Sequence, residues 1–300
     1  MAGWDVHTHL IPPTVLTAAH KGAFGLAVDS GSLVVDGRER LPLQRLADPA
    51  ALLHWIDEQH LDGAVVSVPP ALFRYDAGAE WAELVNQGLR ELATPQLRVL
   101  GHLPLLDGTA ASVAASLARE GVFSGFAIGT PSYAGLDALW QVLHELEAFT
   151  LIHPSQSDDK RLESFYLSNL LGNPYETGLA AASLVFADVP GRFPRIRFCL
   201  CHGGGVTAAV AGRWQRGIDT ARPGIEPPSL SVPDALRRFY VDDLVHDDAV
   251  LELLVKCFGA DRVLAGSDWP FPMGNDSVSA ARSAAAEELT RPLAKEVVAP

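Results

Sequence analysis

The 300-residue sequence predicts an α/β fold, a (β/α)8 barrel of the TIM type, and three observations support this prediction. Eight short apolar runs, typical of buried strands, alternate with eight runs that have helical periodicity. Several of the strand-like runs are continuously apolar, as expected when both faces of a parallel sheet are covered. Between Asp5 and Asp268 each strand-helix unit averages about 33 residues, near the ~30 that such a unit needs.

The predicted strands are four to six residues long and are spaced through the chain from its first residues onward. They are rich in Val, Ile, Leu and Phe, which fit a pleated and buried surface. The eight runs are Trp4–His7, Gly63–Val68, Val99–Leu103, Gly125–Ile128, Thr150–His153, Ile196–Cys201, Phe239–Asp242 and Val263–Ser267.

The predicted helices fill the intervals between the strands, and some carry start signals. Asn173 precedes Pro174, with Glu176 three residues after Asn173, which predicts an N-cap at Asn173. Asp247 is predicted to cap a helix in the same way. The eight ranges are 49–59, 79–92, 109–119, 136–146, 174–187, 206–216, 248–258 and 277–289.

Two connections are long, at residues 10–47 and 154–172, and both follow predicted strands. In a parallel barrel, segments that follow strands lie at the C-terminal mouth, where active sites are found. We therefore expect these two connections to form a lid and the walls of a pocket. No change of composition marks a second domain, so the sequence predicts one domain over residues 1–300.

Composition limits the partners. There are 23 basic and 36 acidic residues, a net charge of −13, and an acidic chain without basic runs argues against nucleic acid and anionic membranes. The three cysteines form no disulfide framework, which predicts a cytoplasmic location. The first residues lack a signal-peptide pattern, and no apolar run approaches the ~18 residues of a membrane span.

Polar side chains collect at the ends of the predicted strands. His7 and His9 follow the first strand, His153 the fifth, His202 the sixth and Asp268 the eighth. A single histidine at a strand end is more often a hydrogen-bonded structural residue, but in a closed barrel all of these face one mouth. Neutral imidazoles with one carboxylate suit zinc and similar divalent ions. The set therefore predicts a metal site.

The fourth strand and the sixth strand refine this prediction. The fourth ends in Ala127-Ile128-Gly129-Thr130, with no lysine or glutamate to bridge two ions, which favours a single ion. His202 is followed by Gly203-Gly204-Gly205. These glycines indicate either a close approach of the backbone to a ligand or a tight turn that needs positive φ, and both interpretations can hold together.

The sequence resembles the amidohydrolase superfamily, and more closely its aminocarboxymuconate-semialdehyde decarboxylase-like branch. The likeness covers most of the chain and is densest between His153 and Met273. Its motifs here are Asp5-x-His7-x-His9, His153-Pro154, Gly172-Asn-Pro-Tyr-Glu-Thr177, Phe193-Pro-Arg-Ile-Arg-Phe198, His202-Gly-Gly-Gly205, Gly212-Arg213, Phe239-Tyr-Val-Asp-Asp-Leu-Val-His-Asp247 and Gly266-Ser-Asp268-Trp-Pro-Phe271.

The resemblance implies one zinc ion per chain, with a ligand set of His7, His9, His153 and Asp268. It implies that His202 is the catalytic acid/base beside a metal-bound water, so that His202 and Asp268 are the catalytic residues. It also implies a homodimer in which Arg213 reaches a substrate carboxylate from the neighbouring subunit. Phe271 is expected to contact the substrate.

A second substrate-binding arginine is expected in the loop after the first strand. The loop offers Arg38, Arg40 and Arg45, and none stands at an unambiguous position. Arg45 is taken as the candidate, and the uncertainty leaves the substrate open.

Two enzymatic functions and one non-enzymatic function agree with these residues. The leading one is metal-dependent, non-oxidative decarboxylation of an unsaturated or aromatic carboxylic acid, with His202 moving the proton and no organic cofactor. The alternative is metal-dependent hydrolysis of a lactone, amide or ester, because the fold does not fix the reaction. The complete ligand set argues against an inactive relative or a binding module.

Overall fold

The computed structural model describes residues 3–155, 157 and 159–294, and within them the chain forms a parallel barrel with a small accessory sheet at its mouth. The strands are β1 (Trp4–His9), β2 (Leu26–Asp29), β3 (Ser32–Val35), β4 (Glu39–Pro42), β5 (Gly63–Ser67), β6 (Leu97–His102), β7 (Phe123–Ile128), β8 (Phe149–Ile152), β9 (Arg197–Leu200), β10 (Tyr240–Asp242) and β11 (Val263–Leu264).

Eight of these strands form one parallel sheet in the order β1-β5-β6-β7-β8-β9-β10-β11. The sheet closes because the first and last strands meet. The amide of Val6 donates to the carbonyl of Ala265 at 3.0 Å, that of Asp268 to His7 at 2.8 Å, and that of His9 to Trp269 at 2.8 Å. The (β/α)8 barrel prediction is therefore confirmed, and all eight predicted barrel strands are present with ends shifted by a few residues.

Helices surround the barrel and bury the outer faces of its strands. The continuously apolar strand runs follow from this, since side chains of both faces are removed from water. The helices are α1 (Pro13–His20), α2 (Leu43–Leu46), α3 (Pro49–Glu58), α4 (Gly78–Leu92), α5 (Ala110–Arg119), α6 (Asp137–Leu146), α7 (Asn173–Phe186), α8 (Val189–Arg192), α9 (Thr207–Asp219), α10 (Val232–Leu236), α11 (Asp248–Phe258), α12 (Ala280–Ser283) and α13 (Ala286–Leu289).

Seven of the predicted helices are confirmed, and the eighth is wrong in part. Asp247 caps α11, accepting hydrogen bonds from the amides of Ala249 and Val250 at 2.8 and 3.1 Å. The expected helix over residues 277–289 is instead two short helices, α12 and α13. Asn173 is not an N-cap, because a π-helical turn at Ser168–Gly172 runs directly into α7. The side chain of Asn173 is therefore not needed to begin the helix.

The connection between β1 and β5 contains secondary structure that the sequence did not predict. After α1, the strands β2, β3 and β4 form an antiparallel sheet that we call the lid sheet. Ser30 and Gly31 connect β2 to β3 with φ values of 47° and 75°. Positive φ at both central residues gives a turn whose twist matches that of the flanking strands.

No helix in the described part of the chain has the length and apolar composition needed to cross a bilayer. The three cysteines are free thiols, and Cys199 and Cys201 are buried in the barrel wall.

Candidate metal centre

The four residues predicted as metal ligands converge at the mouth of the barrel. One donor atom from each of His7, His9, His153 and Asp268 lies within 4.8 Å of the other three. The Nε2 atoms of His7 and His9 are 3.2 Å apart, and Asp268 Oδ1 lies 3.4 and 3.1 Å from them. All four residues are buried. The β1 pleat explains the first pair, because residues two apart on a strand point to one side.

Each of the three histidines is held by its Nδ1 atom, which leaves Nε2 aimed at the cluster. His7 Nδ1 lies 2.8 Å from Asp242 Oδ2, and His153 Nδ1 lies 3.0 Å from the Pro154 carbonyl. His9 Nδ1 lies 3.2 Å from both the Val68 carbonyl and Ser67 Oγ. The carboxylate and the carbonyls accept only from a protonated Nδ1. Nε2 then keeps its lone pair for a metal ion, the arrangement usual for ligand histidines.

The cluster also contains polar atoms that lack a partner among the described residues. His153 Nε2 and Asp268 Oδ1 are buried and make no hydrogen bond. Leaving such atoms unsatisfied costs about 1–3 kcal/mol each, and native structures usually satisfy them. Three imidazole nitrogens and one carboxylate oxygen fit a divalent cation well. The donor set, its burial and its unpartnered atoms therefore fit one divalent metal ion per chain.

Burial and mutual charge shift the pKa values of these groups. Burial lowers the pKa of His9 and places that of His153 well below its usual range, so both rings are neutral, as metal ligands must be. Burial opposes the charge on Asp268, but the neighbouring histidines outweigh burial and its pKa lies well below the ordinary value. The carboxylate is therefore charged and available to a cation.

His202 lies beside this cluster without being needed in it. Its Nε2 atom is 3.9 Å from Asp268 Oδ2, and its ring centroid is 5.4 Å from those of His7 and His153. Its side chain keeps 15% of its surface exposed, whereas those of His7 and His9 are fully buried. A histidine in this place can exchange a proton with a molecule bound in the mouth.

Backbone strain is concentrated at the same place. His202 and Asp268 have φ values of 54° and 59°, in the left-handed region that side chains rarely adopt. Such conformations cost on the order of 1–3 kcal/mol each and cluster at functional sites. The three glycines after His202 also have positive φ, and a Cβ on Gly205 would lie 2.1 Å from the Pro174 carbonyl oxygen. The interpretation of the glycine run as a tight turn is therefore confirmed, and the close approach seen at Gly205 is to the backbone of Pro174.

Asp242 is the functional residue that the strand-end argument omitted. It ends β10, is fully buried, and bonds His7. It was the last residue of the seventh predicted strand, so the rule that selected the other residues, a polar side chain at a strand end, could have selected it too.

Asp5 on β1 is a second buried carboxylate beside the cluster. Its carboxyl accepts hydrogen bonds from the amides of His7 and Ser267, both at 3.0 Å, and helps join the first and last strands.

A cavity of about 760 Å³ opens above the cluster. Its lining comes from the lid sheet, from the connection after β8, and from the cluster itself, so both long connections wall the pocket. Phe271 lines it, with its ring centroid 5.4 Å from that of His9. Its lining residues include Arg38, Arg40, Tyr166, Asn169 and Asn173.

The structure separates the predicted arginines. Arg38 and Arg40 line the cavity, and Arg40 pairs with Asp29 at 2.7 Å. Arg45 is exposed on α2 and is not among the described lining residues. Arg213 is exposed on α9. The structure of one chain thus does not bring Arg45 or Arg213 to the cluster.

A parallel (β/α)8 barrel with three histidines and an aspartate at its C-terminal mouth defines a metal-dependent barrel enzyme. The family model described as Amidohydrolase matches residues 4–299. The chain belongs to this family, as its motifs predicted.

Sequence comparison finds a relative over most of the chain. A 2-amino-3-carboxymuconate-6-semialdehyde decarboxylase of Dictyostelium discoideum is 28% identical over 298 residues, which cover 90% of this chain and 82% of the relative.

Solved structures share the fold at low identity. A 5-carboxyvanillate decarboxylase from Sphingomonas paucimobilis superposes with a TM-score of 0.78 at 19% identity, covering 97% of this chain and 99% of that one. A dihydroxybenzoic acid decarboxylase from a Polaromonas species, with bound manganese and 2-nitroresorcinol, gives 0.76 at 19% identity and 96% coverage of both chains.

Proposed function

We propose that this protein is a metal-dependent carboxy-lyase that removes carbon dioxide, without oxidation, from an unsaturated or aromatic carboxylic acid. The observation that carries the proposal is His202, a partly exposed histidine beside a complete four-residue ligand set. The names of the similar proteins agree with it, since all three reported above are decarboxylases.

His7, His9, His153 and Asp268 would hold the ion, and we propose Zn²⁺ because three imidazoles and a carboxylate suit it. Other divalent ions remain compatible, and one structural relative contains manganese. When bound, the ion supplies a positive charge that polarises a substrate oxygen. The protein's own part is to position the acid and to supply the proton.

In the reaction, the bond between the substrate carbon and its carboxylate breaks, and carbon dioxide leaves. The electron pair of that bond stays on the carbon, which then takes a proton. We assign that proton to His202, which lines the cavity and is partly exposed beside the cluster. General acid/base help of this kind is worth roughly 10²–10⁴-fold in rate.

Substrate orientation is assigned to the cavity walls. Arg38 lines the cavity and makes no ion pair with the described residues, so its guanidinium is free to bind a carboxylate through two hydrogen bonds. This supports Arg38 over Arg45 for the loop arginine. Phe271 offers a ring to the flat face or edge of an unsaturated substrate.

The experiment that tests the function is a screen of unsaturated and aromatic carboxylic acids for carbon dioxide release, run beside a panel of lactones, amides and esters. We expect release from at least one acid, and loss of that release when the metal is chelated. Hydrolysis of the second panel without any carbon dioxide release would establish the hydrolase instead.

We further propose a homodimer in which Arg213 completes the partner's site. An exposed apolar ridge lies beside the cavity, formed by Phe165, Tyr166, Leu170, Leu171, Tyr175 and Leu179, which are 47–87% exposed. Exposed apolar surface of this kind marks protein contacts. Tyr166, Asn169 and Asn173 of the same segment line the cavity. A second copy covering the ridge would therefore lie next to the mouth.

Arg213 stands 11 residues after His202, on the exposed side of α9. At about 1.5 Å per helical residue, α9 carries it away from its own mouth. From there, it can enter a neighbouring pocket more readily than its own. Mixing Arg213→Ala subunits with His202→Ala subunits tests this, because a mixed dimer holds one intact site if the arginine crosses over.

Activity should partly return in the mixture. If heterodimers form and nothing returns, the shared site is wrong. For the ridge, Leu171→Glu should yield monomers in sedimentation, whereas Leu106→Glu, at an exposed leucine outside the ridge, should not. Monomers that keep full activity would refute the dimeric site.

A further inference from the structure

We propose that Asp242 is a positioning residue that fixes both a metal ligand and the turn that carries the catalytic histidine. Its two carboxylate oxygens accept four hydrogen bonds. Oδ2 accepts from His7 Nδ1 at 2.8 Å and from the His202 amide at 3.0 Å. Oδ1 accepts from the amides of Gly203 at 2.8 Å and Leu244 at 3.3 Å.

The first contact sets the form of the His7 ring. Asp242 Oδ2 can only accept, so the proton of the neutral imidazole must be on Nδ1. Nε2 then carries the lone pair that a metal ion needs. His153 obtains the same tautomer from a backbone carbonyl, and His9 Nδ1 lies 3.2 Å from both the Val68 carbonyl and Ser67 Oγ. Among the three ligand histidines, His7 alone depends on a carboxylate for this.

The other contacts set the position of His202. The backbone there is in the left-handed region at both His202 and Gly203, with φ values of 54° and 61°. Its ring Nδ1 is buried and has no hydrogen-bond partner among the described residues. No side-chain bond therefore holds this ring by Nδ1, and its place depends on the backbone that Asp242 anchors through two amides. One carboxylate thus links the metal ligand to the acid/base.

A second ion at Asp242 is a poorer explanation. His7, Cys201 and Asp242 do offer donor atoms within 4.8 Å of one another. However, both oxygens of Asp242 are already used by N–H donors, and burial raises the pKa of the Cys201 thiol well above its usual range, which keeps it protonated. A protonated thiol is not a metal ligand. The hydrogen bonds thus favour positioning.

Asp242→Asn tests the proposal with little change of shape. Asparagine has one oxygen and one NH2 group in place of the two carboxylate oxygens. One of the two pairs of N–H groups that Asp242 accepts from must therefore face the NH2 group, which is itself a donor. If the NH2 group faces His7, the imidazole can accept from it only by moving its own proton to Nε2, which blocks the metal. If it faces Gly203, the turn loses its anchor.

The first measurement is Zn²⁺ affinity of the folded, metal-free protein, by competition with a chromophoric chelator. We expect Asp242→Asn to bind 10–100-fold more weakly than wild type, the usual effect of removing such an outer carboxylate. The matched control is Asp243→Asn, because Asp243 is the adjacent carboxylate but bonds the Gly266 amide and Arg282. The control should bind Zn²⁺ within about twofold of wild type.

The second measurement is turnover at saturating Zn²⁺, and it alone rests on the proposed function. We expect kcat to fall at least tenfold while KM changes little, because the acid/base is displaced and the cavity is not. If Asp242→Asn binds Zn²⁺ as tightly as wild type, Asp242 does not position His7. If its kcat at saturating Zn²⁺ equals that of wild type, Asp242 does not position His202. If wild type releases no carbon dioxide at all, the Zn²⁺ affinity of Asp242→Asn still decides whether Asp242 positions His7.

A third measurement does not require the variant to fold. In metal-free wild type labelled with ¹⁵N-histidine, at a pH high enough for the ring to be neutral, the His7 ring should show a proton on Nδ1 and none on Nε2. His7→Gln identifies the signal by its loss. A ring protonated on Nε2 instead would overturn the proposal.

Discussion

His102 gives a quantitative prediction about the pH dependence of stability. It ends β6, is 1% exposed, and lies parallel to the rings of Phe73 and Tyr75 with centroids 6.0 and 5.6 Å away. Its Nδ1 atom has no hydrogen-bond partner in the described part of the chain. Burial lowers its pKa to about 3. The folded protein therefore keeps this ring neutral well into the acid range.

The sign follows from proton binding. An unfolded histidine has a pKa of about 6.5, so between pH 6.5 and 3 the unfolded chain binds a proton that the folded chain does not. The free energy of unfolding must then fall as the pH falls through this window. Between pH 8 and pH 5 the loss from this one residue is roughly 2 kcal/mol, from about 1.5 pH units at 1.36 kcal/mol each.

The perturbation is His102→Phe, which keeps a planar ring against Phe73 and Tyr75 and removes the titration. The assay is urea unfolding at pH 5 and pH 8, comparing the change in unfolding free energy of the variant with that of wild type. Other titrating groups cancel in this comparison. We expect wild type to lose roughly 2 kcal/mol more than the variant. Equal losses in the two proteins would refute the reasoning.

The control is His54→Gln on α3, where the side chain is 75% exposed and pairs with Glu58. It removes a surface histidine without touching the stack of rings. Its unfolding free energy should follow wild type at both pH values. If His54→Gln reduced the pH dependence of the unfolding free energy as much as His102→Phe does, the effect would not be specific to the buried ring.

Three further predictions concern the site and the scaffold. Elemental analysis should find one divalent ion per chain after reconstitution, and His153→Gln should abolish it; two ions, or none, would contradict the single site. His202→Ala should keep the metal but lose roughly 10²–10⁴-fold in kcat, whereas loss of the metal would make His202 a ligand. Asp247→Ala should lower the free energy of unfolding by about 0.5–2 kcal/mol, with metal content unchanged, because it removes the cap of α11.

The barrel was predictable because its signal is repeated. The barrel strands are buried on both faces over almost all of their length, so each left a largely apolar run, and each candidate ligand stands where such a run ends. The residues at the strand ends then indicated a metal site made from His7, His9, His153, His202 and Asp268, and the family resemblance separated the four expected ligands from His202. Their positions in the sequence, at the ends of predicted strands, were enough to find them, because the fold brings the C-terminal ends of all barrel strands to one edge.

The lid sheet was missed although part of its signal was present. Ser30-Gly31 and Asp36-Gly37 are turn dipeptides between short runs, a pattern that indicates hairpins. The helix expected at residues 277–289 failed for a different reason. Its alanine-rich sequence favours a helix anywhere, but packing against β1 and β11 breaks it into two. Local propensity yields to such packing.

The contacts that orient the site could not be read from sequence. Asp242 stands 235 residues from His7, and no spacing rule joins them. His153 Nδ1 bonds a backbone carbonyl, which every residue carries and no sequence pattern marks, and His9 Nδ1 lies near the Val68 carbonyl and Ser67 Oγ, 59 and 58 residues away. The preference for Arg38 over Arg45 likewise depends on where the lid sheet places them.

The seam between the first and last strands affects the order of assembly. Three of the four candidate ligands flank it, with His7 and His9 on β1 and Asp268 just after β11, so the complete set of donor atoms exists only once the seam has closed. We therefore expect a metal ion to bind after the barrel has closed and to hold the seam together. Proteases should cut the metal-free protein first near this seam, and loading with the ion should suppress those cuts.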